Sequence, residues 1–304
     1  MIGFFLDILG ATVRNATPLA LGAVGETYTE RSGVLNLGIE GTMYAGAFFG
    51  FATAYATGSL ELGLLAAVVV GLVAGGIMGL LTVTLGTNQH VAGLGMTLLL
   101  VGVSEFSNRM LFGGGGSQGL RRVEPYAAVD PLGLGGPFSQ YALTYVAFLV
   151  VVPAAWWLLM RTRFGLALRA VGEDPEAADA AGISVFRMRY AALLIGGVLM
   201  AVAGAFFTLA ALGSFTLDII AGRGWVVIAL VIFGRWDIWR AVGGALLFSA
   251  IYSAQLRLRV TPGWEGVPFE LLLALPYIVV IAALALSGRN VAYPAAYLKP
   301  YRRP

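Results

Sequence analysis

The 304-residue chain contains no cysteine and a single histidine, and only 12% of its residues are charged. Without cysteine it has no disulfides, no thiol nucleophile and no cysteine metal site, and one histidine cannot form a histidine metal cluster. An ordinary soluble domain carries about 25% charged residues, so this chain has too little polar surface for a soluble fold. What it has instead is apolar, with 59% hydrophobic residues and a mean hydropathy of +0.84. The composition excludes a soluble enzyme, a disordered chain and a fibrous protein, and it requires a lipid bilayer.

Long apolar stretches recur along the whole chain. A membrane helix needs about 20 mostly apolar residues, and about nine stretches approach that length: 4–26, 33–57, 61–86, 91–112, 141–160, 189–213, 219–234, 239–257 and 270–287. They are too long, and alternate too little, for the strands of a membrane barrel, and lipid offers the backbone no hydrogen bonds. We therefore predict an all-α polytopic membrane protein forming one transmembrane domain over 1–304, with about nine transmembrane helices, roughly eight to ten.

Glycine distribution suggests where helices pack closely and where they break. Small residues such as Gly71, Gly75 and Gly197 let membrane helices approach one another. Glycine also permits broken or re-entrant helices around a cavity, and 33–41 and 86–95 are the candidates.

The first apolar stretch is interrupted by Asp7, Arg14 and Asn15. It has no basic segment before its apolar part, so we do not expect a cleaved signal peptide. We interpret it as a retained helix whose polar residues face protein or the interface. A helix lying in the membrane interface is the alternative.

The basic residues predict an orientation. If 161–188 lies inside, twelve of the 19 basic residues fall on the inner side, as the positive-inside rule requires. The N-terminus is then outside and the tail with Lys299, Arg302 and Arg303 is inside, given about nine spans.

The inner segment 161–188 encodes a short helix over 175–181. Asp174 is a good N-cap, Pro175 fits the first helical position, and Gly182 fits the position just past the end. Glu176 lies in the first turn, where the helix dipole favours negative charge. An isolated helix this short is marginal in water, so something should dock it.

Three alanines, Ala177, Ala178 and Ala181, are expected to share one side of this helix. They would form a smooth face able to enter a groove of a partner. Ser184 is expected to cap a turn leading into the next membrane helix.

This segment resembles a family signature. Glu176-Ala177-Ala178 followed by Gly182, with Arg169-Ala170-Val171-Gly172-Glu173 before it, resembles the EAA signature of ABC-importer permeases. The resemblance implies that the segment is a coupling helix seated in a groove of an ATPase subunit, with Arg169, Asp174, Glu176, Ala177, Ala178 and Gly182 as the coupling residues.

A second region, Glu30 to Met43, resembles the start of the second helix in the permeases for branched-chain amino acids, ribose-like sugars and nucleosides. The run Leu35-Asn36-Leu37-Gly38-Ile39-Glu40-Gly41 is most similar to the nucleoside type, whose smaller chain this one resembles in length. The resemblance implies a prokaryotic inner membrane and three partners: a second homologous permease chain, an ATPase, and an extracytoplasmic binding protein or lipoprotein. Simple sugars or branched-chain amino acids are alternative substrates, and an ion-coupled secondary carrier is an alternative of another class.

The chain carries no nucleotide-binding motif. A P-loop needs Gly-x-x-x-x-Gly-Lys-Ser/Thr, but the one lysine, Lys299, precedes Pro300, and the glycine run 113–116 leads to Ser117. We therefore expect no enzyme activity and no cofactor on this chain, with ATP and Mg²⁺ bound by a separate ATPase. The net charge of +3 does not predict a nucleic-acid partner.

Polar residues inside a bilayer should face protein or water. Asn36, Glu40 and Tyr44 recur at four-residue spacing and are predicted to form a stripe lining the substrate pathway. Helix-to-helix hydrogen bonding or support of a broken helix is the alternative. Asn88 and Trp225 are further pathway candidates, although Trp225 equally fits an interface anchor.

Two loops are candidate contacts with partners. The turn Arg235 to Arg240, with its aromatic anchors, is a candidate ATPase contact, and the predicted outer loop 113–140 is a candidate contact with a binding protein. An ordinary solvated loop is the alternative for 113–140.

Overall fold

The computed structural model describes residues 2–113, 122–131, 133, 135–258, 268–287 and 292–302. The predicted glycine-rich loop tip at 113–116 is therefore described only at Gly113, and Arg121 and Arg303 lie outside the described residues.

Eleven helices occur in the described part of the chain. They are α1 (Ile2–Arg31), α2 (Ile39–Thr57), α3 (Leu60–Thr84), α4 (Gln89–Phe112), α5 (Ala142–Arg161), α6 (Arg163–Glu173), α7 (Pro175–Ala180), α8 (Val185–Leu212), α9 (Arg223–Phe233), α10 (Ile238–Leu258) and α11 (Phe269–Ser287). A two-residue antiparallel pair, β1 (Ala128–Val129) and β2 (Gln140–Tyr141), places Ala128 opposite Tyr141. Short π-helical segments end α3 and α8 and interrupt α5.

Long apolar helices confirm the predicted fold class. Of the described helices, α3, α4, α5, α8 and α10 are long and apolar enough to cross a bilayer. The chain is an all-α, multi-pass membrane protein. The predicted stretch 219–234 is shorter than expected: α9 has 11 residues and a length of about 17 Å, roughly half the hydrocarbon thickness. It is a half-length helix because Gly222 and Gly234 bound it on either side.

The first helix lies at the centre of the fold. Every residue from Ala16 to Glu30 is buried, because α8, α9 and α10 surround α1. The helix predicted for the first stretch is present, and it continues to Arg31. The alternative of an interfacial helix is wrong, since such a helix would keep one face exposed.

Both predicted helix breaks occur, within narrower limits than expected. Residues 32–38 are not helical, and Gly33 has a φ of +90° that favours glycine. The stretch predicted from 33 therefore becomes helical only at Ile39. Residues 85–88 form the second break, with Gly86 at a φ of +64°, whereas Gly93 and Gly95 lie inside α4.

Helix α8 packs against both α2 and α3, and its backbone lies close to the backbone of each. A Cβ at Gly71 or Gly75 of α3 would overlap the α8 backbone, and one at Gly204 would overlap the backbone of α2. The neighbouring Gly76 has nothing within 4 Å of such a Cβ. Close approach through small residues is therefore confirmed for the buried glycines of this crossing.

We predict opposite outcomes for two adjacent substitutions in α3. Gly75→Leu should force α3 away from Leu193 of α8, because the added side chain meets that residue's backbone, and overpacking costs about 1–3 kcal/mol. Gly76→Leu should be tolerated. The measurement is the thermal midpoint of the detergent-purified protein by size-exclusion chromatography. Equal midpoints for the two variants would contradict this packing.

Candidate functional site

The 161–188 segment is folded rather than a linker, and it contains a helix that we did not predict. Helix α6 begins after Thr162, whose hydroxyl accepts a hydrogen bond from the Gly165 N–H at 3.2 Å. Gly165, Leu168 and Val171 are buried at three-residue intervals. That spacing was readable in the sequence as one helix face.

Helix α7 confirms the predicted short helix almost to the residue. It covers Pro175–Ala180 rather than 175–181. Asp174 Oδ1 accepts from the Ala177 N–H at 2.9 Å. At the other end Gly182 adopts a φ of +83°, and Ile183 N–H donates to the Ala178 carbonyl at 2.9 Å. This is a Schellman ending, in which a left-handed residue closes the helix.

The predicted single alanine face is wrong. Ala178 is only 4% exposed and packs with Val171 and Val185, whereas Ala177 and Ala181 are exposed. Adjacent helical residues point about 100° apart, so Ala177 and Ala178 cannot both face outward. Ala178 seats α7 on the rest of the protein and leaves the other two alanines on the outer surface.

The remaining predicted coupling residues differ in exposure. Glu176 and Gly182 are exposed on α7. Arg169 is half-buried on α6, and its Nε donates to the Gly165 carbonyl at 3.3 Å. Ser184 caps α8 directly, accepting from the Arg187 N–H at 3.4 Å.

Residues 292–302, here called the C-terminal clasp, bind α6 and α7. Ala296 N–H donates to the Gly172 carbonyl at 2.9 Å, and Ala295 N–H donates to Glu173 Oε2 at 3.2 Å. Farther along, Tyr301 Oη donates to Asp179 Oδ2 at 3.0 Å. The tail that we predicted only to mark the inner face is therefore an integral part of this end, here called the α7 end.

The clasp also binds the break between α1 and α2. Leu298 N–H donates to the Gly33 carbonyl at 3.1 Å. Arg189, in the first turn of α8, is 1% exposed. Its Nε donates to the Ser32 carbonyl at 3.2 Å and its Nη1 to the Lys299 carbonyl at 3.1 Å. One arginine thus joins α8, the break and the clasp.

Carboxylates from α1 complete this buried polar cluster. Glu26 accepts from the Asn36 N–H at 3.0 Å and from the Thr29 hydroxyl at 2.8 Å. Glu30 accepts from Trp236 Nε1 at 2.5 Å. Both carboxylates are fully buried, so they hold chain segments together rather than face solvent.

The turn at 235–240 does not present Trp236 to the interface as expected. Trp236 is 1% exposed, and its ring centroid lies 4.8 Å from that of Tyr293 and 6.2 Å from that of Tyr297 in the clasp. Burial, with the nearby Glu30 carboxylate, raises the pKa of Tyr297. Trp239 is the exposed aromatic of this turn, at 47%.

Asn36, Glu40 and Tyr44 are not brought together as one stripe. Asn36 precedes α2, and its Oδ1 accepts from the Gly38 N–H at 3.0 Å. Tyr44 is 5% exposed and packs edge-on against Phe215 at 5.4 Å between ring centroids. The four-residue spacing fails as a stripe because the helix begins only at Ile39.

Glu40 binds the start of α9. Its Oε1 accepts from the Gly222 N–H at 2.8 Å and its Oε2 from the Gly224 N–H at 2.7 Å. These are amides at a helix N-terminus, which lack partners within their own helix. Glu40 therefore binds the backbone amides on both sides of Arg223.

The other two pathway candidates lie apart from each other. Asn88 is exposed and caps α4, with its Oδ1 accepting from the His90 N–H at 3.0 Å. Trp225 lies in the first turn of α9 and is 38% exposed. The pathway roles of all five candidates stay predictions.

A cavity of about 400 Å³ lies among α1, α8, α9 and α10, here called the α8 cavity. Its polar and aromatic lining residues are Arg14, Asn15, Tyr141, Phe206, Phe207, Arg223 and Tyr252. The volume is in the range of small-molecule sites. Arg14 and Asn15 were predicted only to face protein or the interface, and a cavity between distant segments has no signal in the sequence.

The cavity lies in the half of the protein away from the α7 end. Arg14 precedes Arg31 by 17 helical residues, about 25 Å along α1. Phe207 follows Val185 by 22 residues, about 33 Å along α8. The two regions are thus joined by α1 and α8.

Comparison with known proteins decides the family. The profile of a family described as the permease component of branched-chain amino acid transport systems matches residues 8–284. The chain belongs to this family. No solved structure matches it.

Three relatives of this permease are similar over nearly their whole length. A Haloferax volcanii protein provisionally named as the glucose ABC transporter permease TsgC13 is 35% identical over 99% of each chain. The Bacillus subtilis guanosine ABC transporter permease NupQ is 32% identical, over 97% of this chain and 96% of its own. The Lactococcus lactis nucleoside ABC transporter permease NupC is 34% identical over 91% of each.

We predict that Glu40→Gln loosens the start of α9 in this permease. A glutamine side chain offers one acceptor oxygen, so one of the two glycine amides loses its partner, at a cost of about 1–3 kcal/mol. Hydrogen exchange of 222–226 should become faster and the thermal midpoint should fall. Glu61→Gln, at an exposed position in the first turn of α3, is the control. If both variants exchange alike, Glu40 does not hold α9.

Proposed function

We propose that this chain is the permease subunit of an ATP-driven nucleoside importer and that a separate ATPase drives it through α7. The observation that most supports this proposal is the placement of α7 in a chain of this permease family. The helix is capped at both ends, exposed on its outer side, and seated through Ala178 and Tyr301 on the rest of the protein. Membership in a family of ABC permease components argues against a carrier working alone.

Nucleosides are supported as the substrate by the relatives and by the α8 cavity. NupQ and NupC, named for guanosine and nucleosides, align over more than nine-tenths of the chain. The cavity offers aromatic rings and a guanidinium plane, groups on which nucleobases stack. A simple sugar is the second candidate, favoured by the similarity to the Haloferax volcanii protein.

The energy source and the partners are part of this proposal. ATP and Mg²⁺ would be bound by the separate ATPase subunit, in a prokaryotic inner membrane. A second homologous permease chain and an extracytoplasmic binding protein or lipoprotein would complete the importer. A ligand that differs in affinity between two states shifts their equilibrium, so ATPase states that contact α7 differently would shift the permease between outward and inward access.

The clasp would carry this motion from α7 into the membrane. A push on α7 is transmitted through the Asp179–Tyr301 hydrogen bond and the packing of Ala178. From the clasp it reaches the break at 32–38 through Leu298 and Arg189. Arg189 also lies on α8, which continues to the α8 cavity.

The direct test is reconstitution of the complete importer in liposomes with its ATPase, second permease chain and binding protein. We expect ATP-dependent uptake of labelled guanosine that unlabelled adenosine inhibits and that glucose and leucine leave unchanged. Uptake of glucose alone would assign the sugar class. Nucleoside uptake by this chain without an ATPase would contradict the energy source.

A surface substitution on α7 tests the ATPase contact. Ala177→Trp adds a large side chain to an exposed position of the helix without entering the protein core. We expect at least a tenfold loss of ATP-driven uptake and of ATPase co-purification, with an unchanged thermal midpoint. The matched control is Ala56→Trp, at an exposed position near the end of α2. Full co-purification of the ATPase with Ala177→Trp would contradict docking at α7.

A further inference from the structure

One wall of the α8 cavity brings an arginine and two aromatic side chains together. The Arg223 guanidinium carbon lies 5.0 Å from the ring centroid of Phe207 and 5.4 Å from that of Tyr252. Such distances are typical of cation–π contacts. Arginine and aromatic faces together make a platform on which another flat group can stack.

Hydrogen bonds to two backbone carbonyls and to Tyr252 fix the position of the Arg223 guanidinium. Nη1 donates to the carbonyls of Ile219 and Ile220, at 3.2 and 3.0 Å. Nη2 donates to Tyr252 Oη at 3.1 Å. These bonds commit three of the five guanidinium N–H donors to the protein and hold Arg223 beside the two aromatic rings of the wall.

The backbone around this wall is irregular on two elements. Phe207 begins the π-helical end of α8, a conformation that often marks functional sites. Ala221 has a φ of +50° and Gly222 one of +80°, and a non-glycine residue in the left-handed region is strained. Glu40 holds this strained segment by accepting from the amides on either side of Arg223.

Helix α1 contributes two polar residues to the cavity, Arg14 and Asn15. Asn15 is oriented by its Nδ2, which donates to Ser253 Oγ at 3.0 Å. Arg14 and Arg223 are the charged residues among the described lining of the cavity. A positively charged solute is therefore disfavoured, and a neutral solute with hydrogen-bond acceptors is accepted.

We propose that the α8 cavity is a nucleoside-binding site in which the base stacks on the Arg223, Phe207 and Tyr252 wall, and that Glu40 is a positioning residue that holds Arg223 in this wall. The proposal rests on the proposed function and deepens it. Because every base has a flat face, stacking tolerates different bases. The site therefore requires a base but does not distinguish which base, and it rejects a free sugar.

A protection experiment tests binding without relying on transport. The chain has no native cysteine, so Leu256→Cys introduces a single thiol at the edge of the cavity. In the purified importer complex, millimolar guanosine and cytidine should slow labelling of this thiol several-fold, and ribose should not. Ala56→Cys, at an exposed position near the end of α2, is the control thiol. Protection by ribose equal to that by guanosine, or protection by neither, would overturn the proposal.

A transport experiment with variants tests the stacking wall itself. Phe207→Leu and Arg223→Lys should each lower uptake of guanosine, adenosine and cytidine by a similar factor, at least about fivefold for one lost stacking contact. Glu40→Gln should reproduce this common loss at a temperature where it remains folded. Arg109→Lys, on α4 beside Glu105, is the control.

The possible outcomes distinguish failure of the proposed binding site from failure of the proposed importer function. If the wild type takes up nucleosides and Phe207→Leu leaves that uptake unchanged, the α8 cavity is not the nucleoside-binding site. The proposed function would still stand. A loss confined to one nucleoside refutes stacking, since it would show that the edge of the base is recognised. Guanosine protection of Leu256→Cys in a complex that transports only glucose supports the site and refutes the proposed function.

Discussion

The constraint on which the structure depends is that irregular backbone inside a membrane protein must find hydrogen-bond partners away from water. The break at 32–38 illustrates it. Its Ser32 carbonyl is bound by Arg189 and its Gly33 carbonyl by the clasp. Its Leu35 N–H donates to Gln89 Oε1 at 2.8 Å, and Asn36 N–H donates to Glu26. At this break, buried polar side chains thus satisfy backbone groups that the neighbouring helices leave without partners.

The same constraint connects the two ends of the permease. At the α7 end, the partners of the break also contact α6, the clasp and the first turn of α8. At the α8 cavity, Glu40 satisfies the start of α9 and thereby fixes Arg223. Glu40 lies in the first turn of α2, directly after the break. A shift of the break would therefore move residues at both the α7 end and the α8 cavity. This connection gives the proposed coupling a physical route between the α7 end and the α8 cavity.

Local features of this fold were predictable from the sequence and long-range ones were not. Asp174, Pro175 and Gly182 specify both ends of α7 through local chemistry, and the prediction was accurate to one residue. The partners of Glu40 lie more than 180 residues away, so its spacing from Asn36 and Tyr44 suggested a stripe that does not form. The clasp and the α8 cavity likewise arise from contacts between distant segments, for which a single sequence holds no pattern. Helix α6 is different, because its buried three-residue spacing was present and was overlooked.

The central claim is that contact of the ATPase with α7 changes access to the α8 cavity, and thiol labelling measures this directly. In the reconstituted importer, Ala211→Cys places the single thiol of this chain on the cavity wall. The account predicts that trapping the ATPase with a non-hydrolysable ATP analogue changes the labelling rate by a membrane-impermeant reagent severalfold, and that adding Ala177→Trp abolishes the change. A labelling rate that ATP state leaves unaltered, or that still responds when α7 is blocked, would contradict it.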